Sequence, residues 1–328
     1  MQNPEFIYKE HPCFGGCKLN KGRIHLPVSP GCNIECRFCS RKINDDEQRP
    51  GVTSAVIRPE EAAEVIRESL ARCPEITVVG IAGPGDTLAT DYALQTFRLV
   101  KKEFPQLLKC MSTNGLLLAE KADEVIDVGI DTLTVTVNAV NPEVEAQLNS
   151  KISYHGKIYE GVEAAKILIA NQLEGIRKIA AAHILVKVNT VLVPGINDTY
   201  IEETARTVAG AGAVIYNIIP LIPQNELTGY PAPTCEQLDE ARRTAEKYID
   251  VFRHCAHCRA DAIGVPGVYD IGSQIYLKRI AAEAGLHLAG TDTSYENESK
   301  CVVSEEDKKK LQSITEELSK QTLTFSHG

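Results

Sequence analysis

The chain has 328 residues, with 35 basic and 44 acidic side chains and a formal net charge of −9, and no run of Lys or Arg forms the basic patch that binds nucleic acid. Tryptophan is absent and only 5% of the residues are aromatic, which argues against a stacking platform for carbohydrate or single-stranded nucleic acid. No apolar stretch reaches the roughly 20 residues of a membrane span, and the start MQNPEFIYKE lacks the apolar core of a signal peptide, so we expect a cytoplasmic protein that binds neither membranes nor nucleic acid.

Short β-branched runs alternate with longer segments of helical period from Arg23 onward, as in repeated βα units around a parallel sheet. The predicted strands are 23–28, 76–82, 108–112, 132–138, 184–191 and 214–219. The predicted helices are 59–72, 91–103, 119–128, 158–171, 198–211 and 234–248. A short strand at 251–254 and a helix at 273–284 extend the count. We therefore expect an α/β fold, a (β/α) barrel of the TIM-barrel type with six to eight βα units.

The composition also divides the chain into three parts. An N-terminal segment (1–22) precedes the first strand, and the barrel follows at 23–290. The end, 291–328, is polar and charged, and we expect a poorly ordered or loosely docked tail.

Eleven cysteines in a large chain without signs of secretion are more typical of metal ligands than of disulfides. Cys32, Cys36 and Cys39 form a CxxxCxxC motif directly after the first predicted strand. Three thiolates at this spacing can hold three irons of a four-iron cluster and leave the fourth iron open. The alternative is a three-thiolate zinc site, but zinc sites normally use paired CxxC or His spacings.

The motif, with Phe38 before its last cysteine, resembles the radical S-adenosylmethionine (SAM) superfamily. In that superfamily the open iron chelates SAM, which is cleaved reductively to a deoxyadenosyl radical. The resemblance implies two cofactors, a four-iron four-sulfur (4Fe-4S) cluster and SAM. It also implies that loops at strand ends contact SAM: Gly83, Gly85 and Asp86 at the methionine amino group, Ser112, Asn114 and Asn138 at the carboxylate and ribose, and the backbone from Val193 to Ile196 at adenine. Taken singly, each loop is better explained as an ordinary turn; their order behind the CxxxCxxC motif is what favours SAM binding.

A second cysteine pair, Cys255 and Cys258, lies far along the chain and cannot complete a metal site alone. His25 has the parity of Arg23 in the first strand and the opposite parity to Ile24, so it points into the barrel if the apolar residues face the helices. We therefore predict His25 as a cluster ligand; the alternative is a hydrogen-bonded core histidine.

The whole pattern resembles the NifB family, the radical SAM maturases of nitrogenase cofactor biosynthesis. The resemblance runs from about His11 to Pro266 and is carried by the segments 11–13, 23–25, 40–42, 47–52, 83–86, 110–115 and 255–258. Members of that family bind two additional four-iron clusters, fuse them around a carbide derived from the methyl group of SAM, and release an eight-iron precursor. The resemblance implies that His25, Cys255 and Cys258 bind one of these clusters, that Cys13 and Cys110 bind the other, making 1–22 a cluster-binding segment, and that Glu47 and Arg49 are catalytic.

The chain departs from the family at one ligand. The family has a further cysteine after the CxxxCxxC loop, where this sequence has Ile43-Asn44-Asp45-Asp46. Cys17, four residues after Cys13, is the replacement we favour, because thiolate is a softer ligand than the carboxylate of Asp45. The cysteines that match no motif, Cys73, Cys235 and Cys301, are expected to be ordinary thiols.

Two other functions are consistent with the residues: a radical SAM enzyme with one auxiliary cluster that acts on a peptide or small molecule, and a non-catalytic cluster scaffold. For the leading hypothesis we expect a reducing electron donor such as ferredoxin, a cluster donor, and a separate carrier or scaffold protein for the product. We expect the protein to be a monomer.

Overall fold

The computed structural model describes residues 3–15 and 20–283. Its strands are β1 (Gly22–His25), β2 (Ile34–Cys36), β3 (Lys42–Ile43), β4 (Val52–Thr53), β5 (Ile76–Ile81), β6 (Leu108–Thr113), β7 (Thr132–Thr136), β8 (Asn149–Tyr154), β9 (Lys157–Glu160), β10 (Leu185–Leu192), β11 (Ile215–Pro220), β12 (Asp250–Val251) and β13 (Ile263–Gly264). Its α-helices are α1 (Pro4–Glu10), α2 (Ala62–Arg72), α3 (Tyr92–Glu103), α4 (Leu118–Asp127), α5 (Pro142–Glu145), α6 (Gly161–Ala181), α7 (Ile201–Ala211), α8 (Cys235–Ala245) and α9 (Gly272–Glu283). Short 3-10 helices span Pro59–Glu61, Asp198–Tyr200 and Asn225–Leu227.

An eight-stranded sheet forms the wall of the barrel, in the order β12-β11-β10-β7-β6-β5-β1-β13. From β1 to β12 all neighbouring strands in this sheet are parallel, whereas β13 pairs with β1 in the antiparallel sense. Helices α2, α3, α4, α6, α7 and α8 follow β1, β5, β6, β7, β10 and β11 along the chain. These six βα units confirm the predicted α/β barrel of the TIM-barrel type.

The last predicted unit is incomplete. The predicted strand 251–254 is reduced to the two residues of β12, and α9 follows the antiparallel β13. The count of complete βα units therefore stays at six, the lower end of the prediction. The predicted tail, 291–328, lies outside the described residues, as does the end of the predicted helix at Ala284.

One predicted helix was misplaced at its start. Residues 158–160 belong to β9, which forms a hairpin with β8, and α6 begins only at Gly161. The hairpin turns at His155 and Gly156, which have φ of 50° and 70°, the left-handed conformations of a two-residue hairpin loop. With β2 this hairpin forms a three-stranded antiparallel sheet, so it supports the CxxxCxxC segment.

The apolar core lies between the outer face of the sheet and the helices. Ile24, Leu26 and Val28 are fully buried in it, as are residues of the same parity on the neighbouring strands. In the part of the chain that the structure describes, no helix is both long and apolar enough to span a membrane.

The N-terminal segment closes one end of the barrel. Asn3 caps α1 by accepting a hydrogen bond from the backbone N–H of Glu5 at 3.0 Å. Ile7 and Phe14 are buried against apolar residues at the starts of the strands, Val78, Leu108, Leu185 and Ile215. This packing carries the turn at His11–Gly15, and with it Cys13, into the barrel.

Candidate metal centre

A cavity of about 350 Å³ lies inside the barrel. Barrel interiors are usually filled by branched apolar side chains, but many inward positions here are polar or small. They alternate along each strand and include Gly80 on β5, Cys110 and Ser112 on β6, Thr134 and Thr136 on β7, Lys187 and Asn189 on β10, and Asn217 on β11. This lining leaves space for bound groups.

His25 faces this cavity together with Arg23, as the alternation along β1 predicts. Gly80 on the neighbouring strand makes room for the ring, because a Cβ at that position would lie 3.0 Å from Cδ2 and 3.4 Å from Nε2 of His25. Nδ1 of His25 lies 2.9 Å from the carbonyl oxygen of Arg259. Burial, followed by the charge of Arg23, lowers the pKa of His25 to about 4.

The three cysteines of the CxxxCxxC motif also line the cavity. Cys36 ends β2, and a turn brings the N–H of Cys39 to the carbonyl oxygen of Cys36 at 3.0 Å. Burial, and then the neighbouring thiols of Cys39 and Cys32, raise the pKa of Cys36 well above its usual value. Burial raises the pKa of Cys32 to about 11.

The raised pKa values of the three thiols indicate what would have to accompany their thiolate forms. Desolvated thiolates packed together are unfavourable unless cations accompany them, and iron supplies that charge while thiolate is its preferred protein ligand. Arg41 is the nearby cation whose charge opposes the shifts at all three cysteines. In the part of the chain that the structure describes, no three His, Cys, Asp or Glu side chains are arranged to hold one metal ion. Three cysteines that line a shared cavity fit a cluster instead, because each would bind a different iron.

The loop after β5 contributes Pro84, Gly85 and Asp86 to the lining; Gly83, with φ of 138°, precedes them. A Cβ on Gly85 would lie 2.0 Å from the carbonyl oxygen of Gly31, so only glycine allows the two loops to meet. Asp86 is buried and links this loop to β6: its Oδ1 accepts from Oγ1 of Thr113 at 2.9 Å and from the N–H of Asn114 at 2.6 Å. Burial raises the pKa of Asp86.

Ser112, Asn114 and Asn138 line the same cavity. Nδ2 of Asn114 donates to Oδ1 of Asn33 at 2.7 Å, and Oδ1 of Asn138 accepts from the N–H of Val191 at 3.1 Å. The predicted SAM-contacting residues of the loops after β5, β6 and β7 are thus close to the cysteine motif.

Val193 and Ile196 occupy a different position. Both are buried in a small apolar cluster, against which Phe38 packs. The N–H of Ile196 donates to the carbonyl oxygen of Val193 at 3.0 Å in a turn. On β10 the cavity is lined by Val191, and Phe38 places the loop beside the CxxxCxxC segment. The side chains of Val193 and Ile196 point into the core, and the expected contact with adenine, which involves the backbone, stays a prediction.

The remaining predicted ligands meet at the other end of the cavity, which Cys13, Cys110, Cys255 and Cys258 line. Sγ of Cys258 accepts a hydrogen bond from Nη2 of Arg23 at 3.3 Å. Burial raises the pKa of Cys13 to about 12, with Lys187 acting in the opposite direction and Cys258 and Cys110 adding to the rise. Cys17 lies outside the described residues, and Asp45 is exposed.

Glu47 and Arg49 bind each other beside the cysteine loop. The Glu47 carboxylate accepts from Nζ of Lys42 at 2.8 Å, Nε of Arg49 at 2.7 Å and Nδ2 of Asn44 at 3.1 Å. Led by Lys42, these bonds lower the pKa of Glu47 to about 2. Arg49 is buried, and its Nη1 donates to the carbonyl oxygen of Ser40 at 2.7 Å. Arg41, Pro50 and Gly51 of this segment line the cavity.

Among the polar residues of the lining that were not predicted as site residues from the sequence are His11, Glu145, Asn149 and Lys187. Burial raises the pKa of Glu145 to about 8, and its Oε2 has no hydrogen-bond partner among the described residues. For Lys187, its inward parity on a predicted strand could have indicated a place in the barrel. The positions of the other three side chains at the cavity depend on tertiary packing.

Family comparisons agree with this geometry. The model of the radical SAM superfamily matches residues 26–208. The chain is 44% identical over 268 residues to the FeMo cofactor biosynthesis protein NifB of Methanocaldococcus infernus, covering 81% of this chain and 88% of that protein. It is 42% identical over 266 residues to the protein of the same name from Klebsiella pneumoniae, covering 78% of this chain and 57% of that protein.

Two solved structures share the fold at low sequence identity. A radical SAM methyltransferase from Sphaerobacter thermophilus has a TM-score of 0.54 and 18% identity, covering 71% of this chain and 66% of that chain. Methylornithine synthase (PylB) has a TM-score of 0.51 and 14% identity, covering 97% of this chain and 89% of that chain. At these identities the likeness concerns the fold alone.

Proposed function

The chain belongs to the NifB family of radical SAM enzymes, and on that premise we propose that it fuses two four-iron clusters into a carbide-containing eight-iron precursor of the nitrogenase cofactor. The relatives named for FeMo cofactor biosynthesis support this reaction class. In the proposal, the carbide derives from the methyl group of SAM.

The observation that carries the proposal is the set of side chains that line one cavity. This cavity is lined by seven cysteines and His25: Cys13, Cys32, Cys36, Cys39, Cys110, Cys255 and Cys258. Three thiolates are enough to hold one cluster with an open iron. The other five side chains lie in the same space, so substrate clusters bound by them would be enclosed together with the radical source.

Cys32, Cys36 and Cys39 would hold the resident 4Fe-4S cluster. When bound and reduced, this cluster supplies the electron that cleaves SAM to the 5′-deoxyadenosyl radical. The protein's part is positioning: Asp86 ties the loops after β5 and β6 together, which holds Ser112 and Asn114 at the proposed SAM carboxylate and ribose, and Asn138 completes that side.

The substrate clusters would be bound at the other end of the cavity. His25, Cys255 and Cys258 would bind one cluster and Cys13 and Cys110 the other, with Cys17 as a third thiolate for the second. Because a carbonyl oxygen can only accept, the bond from His25 to Arg259 puts the ring proton on Nδ1 and leaves Nε2 free for iron. The buried, neutral imidazole supports a ligand role.

Glu47 and Arg49 remain our candidates for catalytic residues. Arg49 is buried beside the turn that carries Cys39, where its charge would act on the resident cluster. The Glu47 carboxylate, held by Arg49, would have to turn toward the cavity to contact a substrate.

A radical SAM enzyme of this family needs a reductant and proteins that deliver and accept clusters. We expect ferredoxin as the reductant, a scaffold protein as the cluster donor and a separate carrier for the product. We further expect the enzyme to act in the cytoplasm as a monomer.

Anaerobic reconstitution tests the proposal. Three four-iron clusters give about 12 irons per chain, whereas a radical SAM enzyme with one auxiliary cluster gives about 8. With SAM and a reductant, the proposal predicts both 5′-deoxyadenosine, from radical chemistry, and S-adenosylhomocysteine, from methyl transfer. About 8 irons with 5′-deoxyadenosine alone would favour a peptide or small-molecule substrate, and no SAM cleavage would favour a scaffold.

A further inference from the structure

Lys187 is a buried cation, and no anionic side chain of residues 3–15 and 20–283 forms an ion pair with it. Only 6% of the residue is exposed, and its Nζ lies 3.4 Å from the carbonyl oxygen of Cys13. Among the described residues, no carboxylate lies within ion-pair distance of this ammonium group. The rings of Phe14 and Phe252 flank it, with Nζ 5.0 and 5.5 Å from their centroids, and they offer only a weak substitute for a counter-charge.

A buried charge is stable only when an opposite charge or strong hydrogen bonds compensate it. Lys109 shows the usual solution in this same sheet: it is 8% exposed, and its Nζ lies 3.1 Å from Oδ2 of Asp131. Lys187 instead faces the cavity beside Cys13 and Cys110, and its charge opposes the rise in pKa at both cysteines. The missing counter-charge is therefore expected from a bound anion.

His11 presents a second unsatisfied group to the same place. It is 2% exposed and lines the cavity. The backbone N–H of Cys13 donates to Nδ1 of His11 at 3.1 Å, so the proton of the neutral ring is on Nε2. Nε2 is buried and has no partner within residues 3–15 and 20–283. A buried N–H donor without an acceptor is costly, and sulfur of a bound cluster would supply the acceptor.

We propose that Lys187 and His11 form a positioning pair for the substrate cluster bound by Cys13 and Cys110, with the ammonium group of Lys187 compensating the negative charge of the thiolate ligands and Nε2–H of His11 donating to one of the cluster's sulfurs. This inference rests on the proposed function, because it takes the cluster as given. It explains how a cluster with few protein thiolates is retained, since charge and hydrogen bonds to sulfur also set cluster stability and potential.

Lys187→Met separates this role from a structural one. Removing an uncompensated buried charge should leave the apoprotein as stable as the wild type or more stable. The same change should cost the reconstituted protein about four of its about 12 irons, or, where the iron is retained, shift the midpoint potential of one cluster to a more negative value. Lys187→Arg keeps the charge and should restore both properties in part.

Lys109→Met is the matched control. It removes a similarly buried lysine whose partner is Asp131, so the apoprotein should lose stability while the iron content stays at the wild-type value. His11→Phe keeps an aromatic ring in contact with Phe14 but removes both the Nε2 donor and the Nδ1 acceptor of the Cys13 N–H, and should weaken the same cluster as Lys187→Met. If Lys187→Met does not fold, Lys187→Arg and His11→Phe carry the test through the same iron and potential measurements.

The inference is overturned if Lys187→Met lowers apoprotein stability while iron content and every midpoint potential remain those of the wild type. If the wild type binds about 12 irons, that result rejects the role of Lys187 and His11 at the cluster and leaves the proposed function intact. A wild-type protein that binds only about 8 irons rejects this role and the proposed function together.

Discussion

Nδ1 of His25 donates a hydrogen bond to the carbonyl oxygen of Arg259 at 2.9 Å, which joins the first strand of the barrel to the residue directly after Cys258. The Arg259 side chain reaches further: its Nη1 donates to the carbonyl oxygen of Glu47 at 2.6 Å and its Nη2 to that of Asn44 at 2.7 Å. One residue thus fixes the tautomer of a proposed ligand and anchors the segment 44–47.

Gly80→Ala should disturb His25 without removing it. The new Cβ would lie 3.0 Å from Cδ2 of His25, so the ring must shift, and we expect partial loss of the cluster bound by His25, Cys255 and Cys258. Iron analysis should show a loss of up to about four irons, while 5′-deoxyadenosine formation continues. Gly210→Ala, in α7 with open space around it, is the control and should keep all its iron; equal losses in both variants would contradict the ligand role of His25.

Replacing Cys32, Cys36 and Cys39 together by Ala should abolish 5′-deoxyadenosine formation, because the open iron requires three thiolates on the other irons. Most of the remaining iron should stay bound. A triple variant that still cleaves SAM reductively would show that the radical is generated elsewhere.

Joint replacement of Cys255 and Cys258 by Ala should have the converse effect. We expect the loss of one cluster, about four irons, while the radical-generating cluster remains and uncoupled cleavage of SAM continues. Unchanged iron and unchanged yield of an eight-iron product would mean that these cysteines bind no cluster.

Cys17→Ser tests the replacement for the missing family cysteine. We expect iron to fall to about the level of the Cys13→Ser variant, with the same spectroscopic signal altered, because thiolate is the preferred iron ligand. Asp45 is exposed, so Asp45→Asn should change little. Wild-type iron in Cys17→Ser together with cluster loss in Asp45→Asn would reverse the assignment.

Glu145→Gln should change the pH dependence of apoprotein stability. Burial raises the pKa of Glu145 from 4.5 to about 8, so the folded state binds more protons than the unfolded state between these values, and wild-type stability falls as the pH rises through them. Glutamine does not titrate, so the stability of the variant should not fall with pH for this reason. Its free energy of unfolding in urea, relative to wild type, should rise between about pH 5 and pH 8, by at most about 1.4 kcal/mol per pH unit. A pH-independent difference would show that Glu145 is already ionised in the fold.

The sequence predicted the strands of the barrel well, because buried parallel strands appear as β-branched runs at regular intervals. It did not predict the β8–β9 hairpin, since His155-Gly156 is not a common pair for a left-handed two-residue turn. The position of α1 was also missed: its role depends on Ile7 packing against strand ends far along the chain.

The site likewise contains residues that the sequence predicted and residues that it did not. Cys32, Cys36 and Cys39 are local in sequence, and the strand parity of His25 placed its ring in the barrel. Lys187 and Glu145 were not predicted because a charged residue in a strand or short helix is usually solvent-exposed. The parity of Lys187 on its strand was the one sequence signal, whereas the burial of Glu145 at the cavity depends on tertiary packing.

The most direct test of the proposed reaction follows the methyl carbon of SAM. The reconstituted enzyme is incubated anaerobically with a reductant and SAM radiolabelled at the methyl group, and the cluster product is separated from the protein. The proposed reaction yields one labelled carbon per eight-iron product, formed together with S-adenosylhomocysteine and 5′-deoxyadenosine. Label that remains in SAM or appears only in a peptide or small molecule, with no label in the cluster product, would contradict it.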